Sequence, residues 1–474
     1  MKSIIRLIPI LLLFMAAYTA DAYTGQVLFQ QNHRQIDRLS VGAFSALASK
    51  NNLTFMIYCD TSRRPRIVKY NHNTGASETR YLDTNSNYKA LEDGHHYFAI
   101  GIDRDGYIHV VGDMHDFPYL NIDHLPSRYK PQPVTTQDYT PDRSILYWKS
   151  NSPYNINNFT FMGQNSSKRI QGYGHSYSSF VTDRNGRLYY YGRVWGKYHY
   201  HLPWNQRKGS RGYTLQRYNK SSGNWTALGR EIPYSGAAKI PSKMVFWENA
   251  GVTAAPLTTH YQGYKGQFIF DRSNRLHTAF TMSDSTAQSP EEQSSSMRRL
   301  MYMWCYAGEV GQRWRKVGGS SHNILGRQNA FDTYRDSFRY KRIETNLAID
   351  KDSKPIIKWI DTSNNPDRAK WTMLNNAPSN SGAGWTMPRN LVINNSSRRI
   401  FTDRLGETIF VPNHTSVWSG SSLFSTGVTH TGINPQFSGW ISENRLYQNN
   451  QIIYAGRMNT GAGTSVPAIG LFKK

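Results

Sequence analysis

LEDGHHYFAIGIDRDGYIHVVGDMHDFPYL, residues Leu91–Leu120, reads as strand, tight turn, strand. Phe98, Ile100 and Ile102 alternate with small neighbours, and Tyr107–Val111 resumes the aromatic and β-branched pattern. Between them Asp103–Gly106 supplies a turn in which the aspartate can bond its own backbone and the glycine can take a positive φ. Folding this hairpin brings Gly94-His95-His96 and Asp113-Met114-His115 to one edge of a sheet, so that His95 and His115 can flank a single small volume.

The unit recurs. An apolar strand running into an Asp-containing turn appears at Ala99–Gly106, Phe180–Gly186, Phe268–Asn274, Leu347–Asp352 and Ile400–Gly406, while long amphipathic helical patterns are scarce. The fold class is therefore all-β. Hairpins irregularly spaced along a chain this long predict a β-propeller, and blades of roughly 40 to 50 residues plus loops make about seven of them, a seven-bladed β-propeller. A stacked β-helix would show short regular rungs, which the sequence lacks. The terminal runs 26–29 and 467–472 are expected to join in one blade and close the ring, as propellers do to avoid an exposed edge. Ser283–Ser296 reads as a polar loop inside a blade rather than a linker.

Lys2 and Arg6 flank the start of an apolar run, Leu7–Ala17, followed by the small residues Ala20 and Ala22, which predicts a secretory signal peptide over residues 1–22 and a single propeller domain over residues 23–474. The apolar run is too short to span a bilayer comfortably, so removal and secretion are expected rather than membrane anchoring. A mean hydropathy of −0.63 excludes a polytopic membrane protein.

The 474 residues carry a formal charge of +24, which favours a polyanionic partner. Lysine and arginine are scattered, with only short clusters such as Arg63-Arg64 and Arg298-Arg299, and this argues against nucleic acid, whose binders concentrate charge on a helix or tail. The 31 tyrosines and 12 tryptophans suit stacking on sugar faces, although in strands most aromatics simply pack. The expected partner is an anionic polysaccharide bound by a monomer.

A second hairpin, Gly172–Trp195 (GYGHSYSSFVTDRNGRLYYYGRVW), carries Tyr177 at the start of one strand and Arg193 at the end of the other. By analogy with the first, both fall at the edge that holds His95 and His115. Two histidines, a tyrosine and an arginine without an obvious carboxylate pair fit β-elimination on a uronic acid polymer. That reaction needs a cation to neutralise the C6 carboxylate, a base for the C5 proton and an acid for the departing O4. Glycoside hydrolysis would ask for two paired carboxylates or a sialidase-like tyrosine nucleophile.

The segments Asp93–His115 and Gly174–Arg193 resemble the propeller-fold ulvan lyases, the polysaccharide lyases of family 25 and, more distantly, family 24. The resemblance implies a seven-bladed propeller that cleaves ulvan, a sulfated rhamnose and uronic acid polymer, endolytically by β-elimination. It implies that His95, His115, Tyr177 and Arg193 are the catalytic set. In this reading Arg193 neutralises the carboxylate, His95 is the base, Tyr177 serves as acid and as base on the opposite sugar face, and His115 orients or shares charge. A non-catalytic lectin for acidic glycans and a propeller hydrolase are the competing readings.

No cofactor is expected for catalysis. A structural zinc is an open expectation: His277, Cys305 and His322 fall on consecutive strands or loops of one blade, and thiolate with imidazole favours that metal. His260 is a candidate fourth ligand. Cys59 and Cys305 are the only cysteines, and a disulfide between them would exclude the metal.

Overall fold

The computed structural model of the chain describes residues 24–30, 46–83, 88–90, 98–112, 146–162, 168–171, 175–195, 211–229, 243, 245, 263–283, 297–318, 321–322, 331–332, 342–350, 352–361, 368–390, 399–402, 408–411, 416–419, 427–429, 437–446, 451–459 and 465–473. Strand β1 (Thr24–Gln30) is followed by a sheet of β2 (Leu47–Lys50), β3 (Leu53–Cys59), β4 (Pro65–Asn71) and β5 (Ser77–Tyr81). The next contains β6 (Phe98–Ile102), β7 (Ile108–Gly112), β8 (Tyr147–Ser150) and β9 (Phe159–Phe161). After it come β10 (Ser176–Thr182), β11 (Leu188–Trp195), β12 (Arg211–Asn219) and β13 (Asn224–Leu228). A larger sheet holds β14 (Gly263–Phe270), β15 (Leu276–Ser283), β16 (Met297–Cys305), β17 (Trp314–Arg315), β18 (Ser321–His322) and β19 (Phe331–Asp332), with a 3-10 turn at Ala307–Glu309. Then follow β20 (Arg342–Ile349), β21 (Pro355–Asp361), β22 (Arg368–Met373) and β23 (Arg389–Asn390), and after them β24 (Arg399–Thr402), β25 (Thr408–Val411), β26 (Ser416–Ser419) and β27 (Gly427–Thr429). The last sheet takes β28 (Phe437–Leu446), β29 (Gln451–Asn459) and β30 (Ser465–Lys473), and its fourth strand is β1 from the other end of the chain.

The all-β class is as the sequence predicts, and the described residues form seven antiparallel sheets, six of them four-stranded. The expected union of the termini is present: Thr24 pairs with Lys473 and Gln30 with Ala468, so that β1 forms the edge of the last sheet and β30 is covered on both sides, by β1 and β29. Residues 284–296 of the polar loop and the signal region lie outside the described residues.

Sheets meet through their first strands. β28 touches β2, β2 touches β6, and the series continues through β10, β14, β20 and β24. The sequence explains the polarity of each sheet. First and second strands such as FAIGI (β6) and IHVVG (β7) are buried on both faces, whereas the outer β5, SETRY, alternates charged residues and stays exposed or half-buried. Apolar clusters accordingly fill the spaces between successive sheets. Phe180, Ile100 and Trp148 belong to one, Tyr191, Phe268 and Met301 to the next, and Tyr302, Leu347 and Trp359 to a third.

The aspartate turns are one device used repeatedly. Asp103 Oδ1 accepts the N–H groups of Asp105 and Tyr107, both at 2.9 Å. Asp183 does the same for Asn185 and Arg187 at 2.9 and 2.8 Å, and Asp350 for Asp352 and Lys354 at 2.9 and 2.7 Å. Asp271 receives Arg275 N–H at 2.8 Å. The residue three after each aspartate is left-handed: Gly106 at φ 92°, Gly186 at 76°, Asn274 at 60° and Ser353 at 62°. A fifth turn with the same bonds, unmarked by the sequence reading, starts at Asp60 and places Arg63 at φ 63°. It escaped notice because arginine sits where glycine or asparagine is the usual signal. The Asp403 turn lies outside the described residues.

In four of these five turns the second carboxylate oxygen faces the side chain six residues on. That side chain is Arg66, His109, Tyr189 or His277, with separations of 2.8, 3.2, 3.5 and 3.2 Å. After Asp350 the corresponding residue is Ile356. His109 and His277 are thereby structural. Each is fully buried, each presents Nδ1 to a tyrosine hydroxyl (Tyr147 at 2.8 Å, Tyr302 at 2.6 Å), and burial holds each imidazole below its ordinary pKa despite the carboxylate.

Candidate active site

Gly101 fixes how the two informative hairpins lie together. A Cβ at this position would stand 2.7 Å from the Phe180 ring, so only glycine lets β6 approach β10 here. At the same end of the two sheets β6–β7 closes with Phe98 opposite Gly112, and β10–β11 with Ser176 opposite Arg193. The described ends of the two hairpins therefore share one edge. His95 and His115, three residues beyond Phe98 and Gly112, lie outside the described residues. His109, the third histidine of that hairpin, points into the core at the turn.

Tyr177 and Arg193 come together. The register of β10 against β11 slips between Ser176 and Ser179, a bulge that places Tyr177 and Ser178 opposite Gly192. Tyr177 adopts φ 52°, the left-handed region that costs a bulky side chain about 1–2 kcal/mol. Its ring lies under the Arg193 guanidinium, with Cζ 4.4 Å from the ring centroid. Arg193 Nε donates to Ser176 Oγ at 3.0 Å. Both side chains are buried, and a buried permanent charge requires compensation by hydrogen bonds, ring faces or an anion.

Beneath this pair runs a hydrogen-bonded chain to which the sequence reading gave no role. Tyr190 OH lies 2.9 Å from His175 Nδ1 and 2.8 Å from Ser178 Oγ. Burial pushes His175 down to about 3, with the Gln171 backbone opposing, and raises the Tyr190 phenol, so both are neutral around pH 7. Gly192 makes room for them, because a Cβ there would lie 2.5 Å from Tyr190 OH. The sequence signal was available: a run of polar residues, HSYSS, enters a strand whose partner reads YYYGR, and the glycine interrupts an otherwise bulky strand.

The expected metal ligands do not assemble. Leu276 pairs with Cys305 and His277 with Trp304, and because side chains alternate along a strand, His277 and Cys305 face opposite sides of their sheet. Cys305 packs with Leu276 in one apolar cluster, while the Tyr302 and Trp304 beside His277 belong to another. His277 is also engaged by Tyr302 and Asp271. The side chain of His322 and all of His260 lie outside the described residues, and among the described residues no group of three His, Cys, Asp or Glu side chains could hold a metal ion. Among the described residues, His277 and Cys305 do not fit a shared zinc site. Cys59 and Cys305 are separate buried free thiols, so the disulfide is not formed either.

Sheets joined by their first strands, with aspartate-anchored turns at one end, define a β-repeat protein. The chain belongs to the BNR repeat-containing family, whose model matches residues 53–387. No curated protein matches the sequence. Among solved structures the chain is similar to polysaccharide lyase Uly1, at a TM-score of 0.62 and 13% identity over 94% of this chain and 92% of that one. It is also similar to a PL25 ulvan lyase bound to GlcA(1-4)Rha3S, at a TM-score of 0.58 and 12% identity over 94% and 95% of the two chains. The resemblance to ulvan lyases read from two hairpins thus extends over the fold. Among the described residues no helix is long and apolar enough to cross a membrane.

Proposed function

We propose that this chain is a secreted, endolytic ulvan lyase built as a seven-bladed β-propeller, with residues 1–22 removed on export. The observation that carries the reading is Tyr177, held left-handed in a strand bulge against the Arg193 guanidinium. Strain of this kind persists where function requires it, and a phenol beside a fixed cation is what elimination from a uronate needs. The fold shared with two polysaccharide lyases, one of them bound to a sulfated rhamnose and glucuronate unit, supports the same substrate class.

In the proposed reaction Arg193 pairs with the C6 carboxylate and thereby acidifies the C5 proton. A base removes that proton, the C4=C5 double bond forms, and the C4–O4 bond breaks as O4 receives a proton. No oxidant or further reactant is required. His95 is proposed as the base, with His115 orienting it. Tyr177 gives the proton to O4 and can act as base for the uronate epimer that presents its C5 proton on the other face. The basic surface attracts the sulfated polymer.

The test is ultraviolet absorbance over time with mature protein and ulvan, run beside heparin, alginate and pectate and repeated with His95→Ala and Tyr177→Phe. An absorbance rise with ulvan alone that both substitutions abolish is expected, because elimination leaves a conjugated unsaturated uronyl end. Flat absorbance with shortened chains would assign a hydrolase instead. If binding persists while polymer length and absorbance stay constant, the protein is a lectin.

A further inference from the structure

We infer that His175, Tyr190 and Ser178 are positioning residues: their shared hydrogen-bonded chain holds Tyr177 in its left-handed bulge and against Arg193. This rests on the reading of Tyr177 and Arg193 as groups that meet the substrate.

A tyrosine relaxes from φ 52° unless its surroundings over-determine it. Three of its near neighbours in sequence are tied across to β11. Ser176 accepts from Arg193 Nε at 3.0 Å, and His175 and Ser178 meet the one hydroxyl of Tyr190 at 2.9 and 2.8 Å. With residues 175, 176 and 178 pinned to positions 190 and 193, the surplus residue of the bulge is Tyr177. Gly192 is the fourth part of the device, since any larger residue would displace the Tyr190 hydroxyl.

His175 does not act on the substrate. Its Nδ1 is engaged by the Tyr190 hydroxyl, and its ring, kept neutral with a pKa of about 3, is too weak a base for a C5 proton. Nor does it repeat the pattern of His109 and His277, which face turn aspartates; among the described residues its ring meets a phenol and no carboxylate. A neutral imidazole joined to a neutral phenol and a serine hydroxyl is suited to fixing geometry without placing a competing charge beside Arg193.

The experiment compares wild type with Tyr190→Phe, Ser178→Ala, His175→Leu and His175→Asn, using Tyr189→Phe as a control that removes a buried hydroxyl from the same strand on its other face. Tyr190→Phe is expected to lower kcat on ulvan by about a hundredfold, the scale of a misplacement near 1 Å, with KM changed less than about twofold. His175→Asn, which keeps a hydrogen-bonding group near the place of Nδ1, should recover most of the activity that His175→Leu loses. Tyr189→Phe should leave kcat unchanged. Crystal structures of wild type and Tyr190→Phe read the same claim without activity, and Tyr177 should leave the left-handed region in the variant. The inference is overturned if Tyr177 keeps its φ and its stack on Arg193 in Tyr190→Phe, or if kcat falls no further in Tyr190→Phe than in Tyr189→Phe. Should His175→Leu fail to fold, Tyr190→Phe and Ser178→Ala decide. If wild type eliminates no uronate polymer, the proposed function fails, and the Tyr190→Phe crystal structure alone decides the positioning.

Discussion

The hairpin of β10 and β11 has two unlike ends. At one, Asp183–Gly186 turns the chain with the bonds and the left-handed fourth residue found at Asp103, Asp271 and Asp350. These turns are also joined to their neighbours: Lys50 Nζ donates to the Asp103 and Arg104 carbonyls at 2.6 Å, and Arg184 Nε to the Asp271 carbonyl at 3.0 Å. At the other end the ladder slips, a tyrosine is strained and an arginine is buried. The turns repeat from sheet to sheet, and the slip itself recurs in β14–β15 and β20–β21; among the described residues the left-handed tyrosine beneath a buried arginine is what sets this end apart, and it marks the end proposed to do chemistry. A rigid turn end can offset the strain at the other because one sheet carries both.

If that division is right, substitutions at the site end should change turnover with little change in stability, and those at the turn end the reverse. Arg193→Lys should show the largest effect, lowering kcat/KM on ulvan by about a thousandfold, because an ammonium keeps the charge but not the planar fork that meets a carboxylate. Comparable kinetics in the lysine variant would show that charge alone suffices. Tyr177→Phe should reduce kcat by roughly a hundredfold or more, the range of a lost proton-transfer group. Tyr177→Gly against Tyr177→Ala separates strain from packing: both should lose activity and stability with the buried ring, and urea unfolding should show the glycine variant about 1 kcal/mol more stable than the alanine variant, since glycine accepts a positive φ.

At the turn end, Asp183→Ala should lower unfolding free energy by about 3 kcal/mol, for the loss of two backbone hydrogen bonds to a buried carboxylate, and leave kcat at low temperature within about twofold. A collapse in kcat at full folding would mean that the two ends are coupled.

Stability should also depend on pH. His175 is held down to about 3 in the folded chain by burial, against about 6.5 when unfolded. The unfolded state therefore binds the proton first, and the contribution of His175 to stability is full above pH 6.5 and lost as pH falls toward 3. Unfolding free energy from denaturant titrations should fall with pH across that window by up to about 1.4 kcal/mol per unit for this residue. His175→Asn should remove about one proton from the slope. His109 and His277, also lowered by burial, act in the same direction, so the slope should be reduced in the variant and not abolished.

Much of this was legible in the chain. Alternation around Asp103 and Asp183 predicted the hairpins, the turn residues predicted their conformation, and the terminal runs predicted the shared last sheet, because each is a local consequence of backbone sterics and strand periodicity. The edge shared by the two hairpins was also inferable from their matching layout. The pairing of His277 with Cys305 failed for a reason of the same kind: a single register step, Leu276 rather than His277 opposite Cys305, sends the two side chains to opposite faces. Sequence proximity to a shared sheet cannot supply that parity.

By itself, then, the sequence determined the all-β class, the repeated aspartate turns and the candidacy of Tyr177 and Arg193, since these depend on residues close together in the chain. Tertiary structure alone decided which histidines are structural, that a bulge strains Tyr177 beneath the Arg193 guanidinium, and that His175 and Tyr190 stand behind it. Those facts depend on register between strands and on the close approach allowed by Gly101 and Gly192, and such non-local contacts leave no local pattern to read.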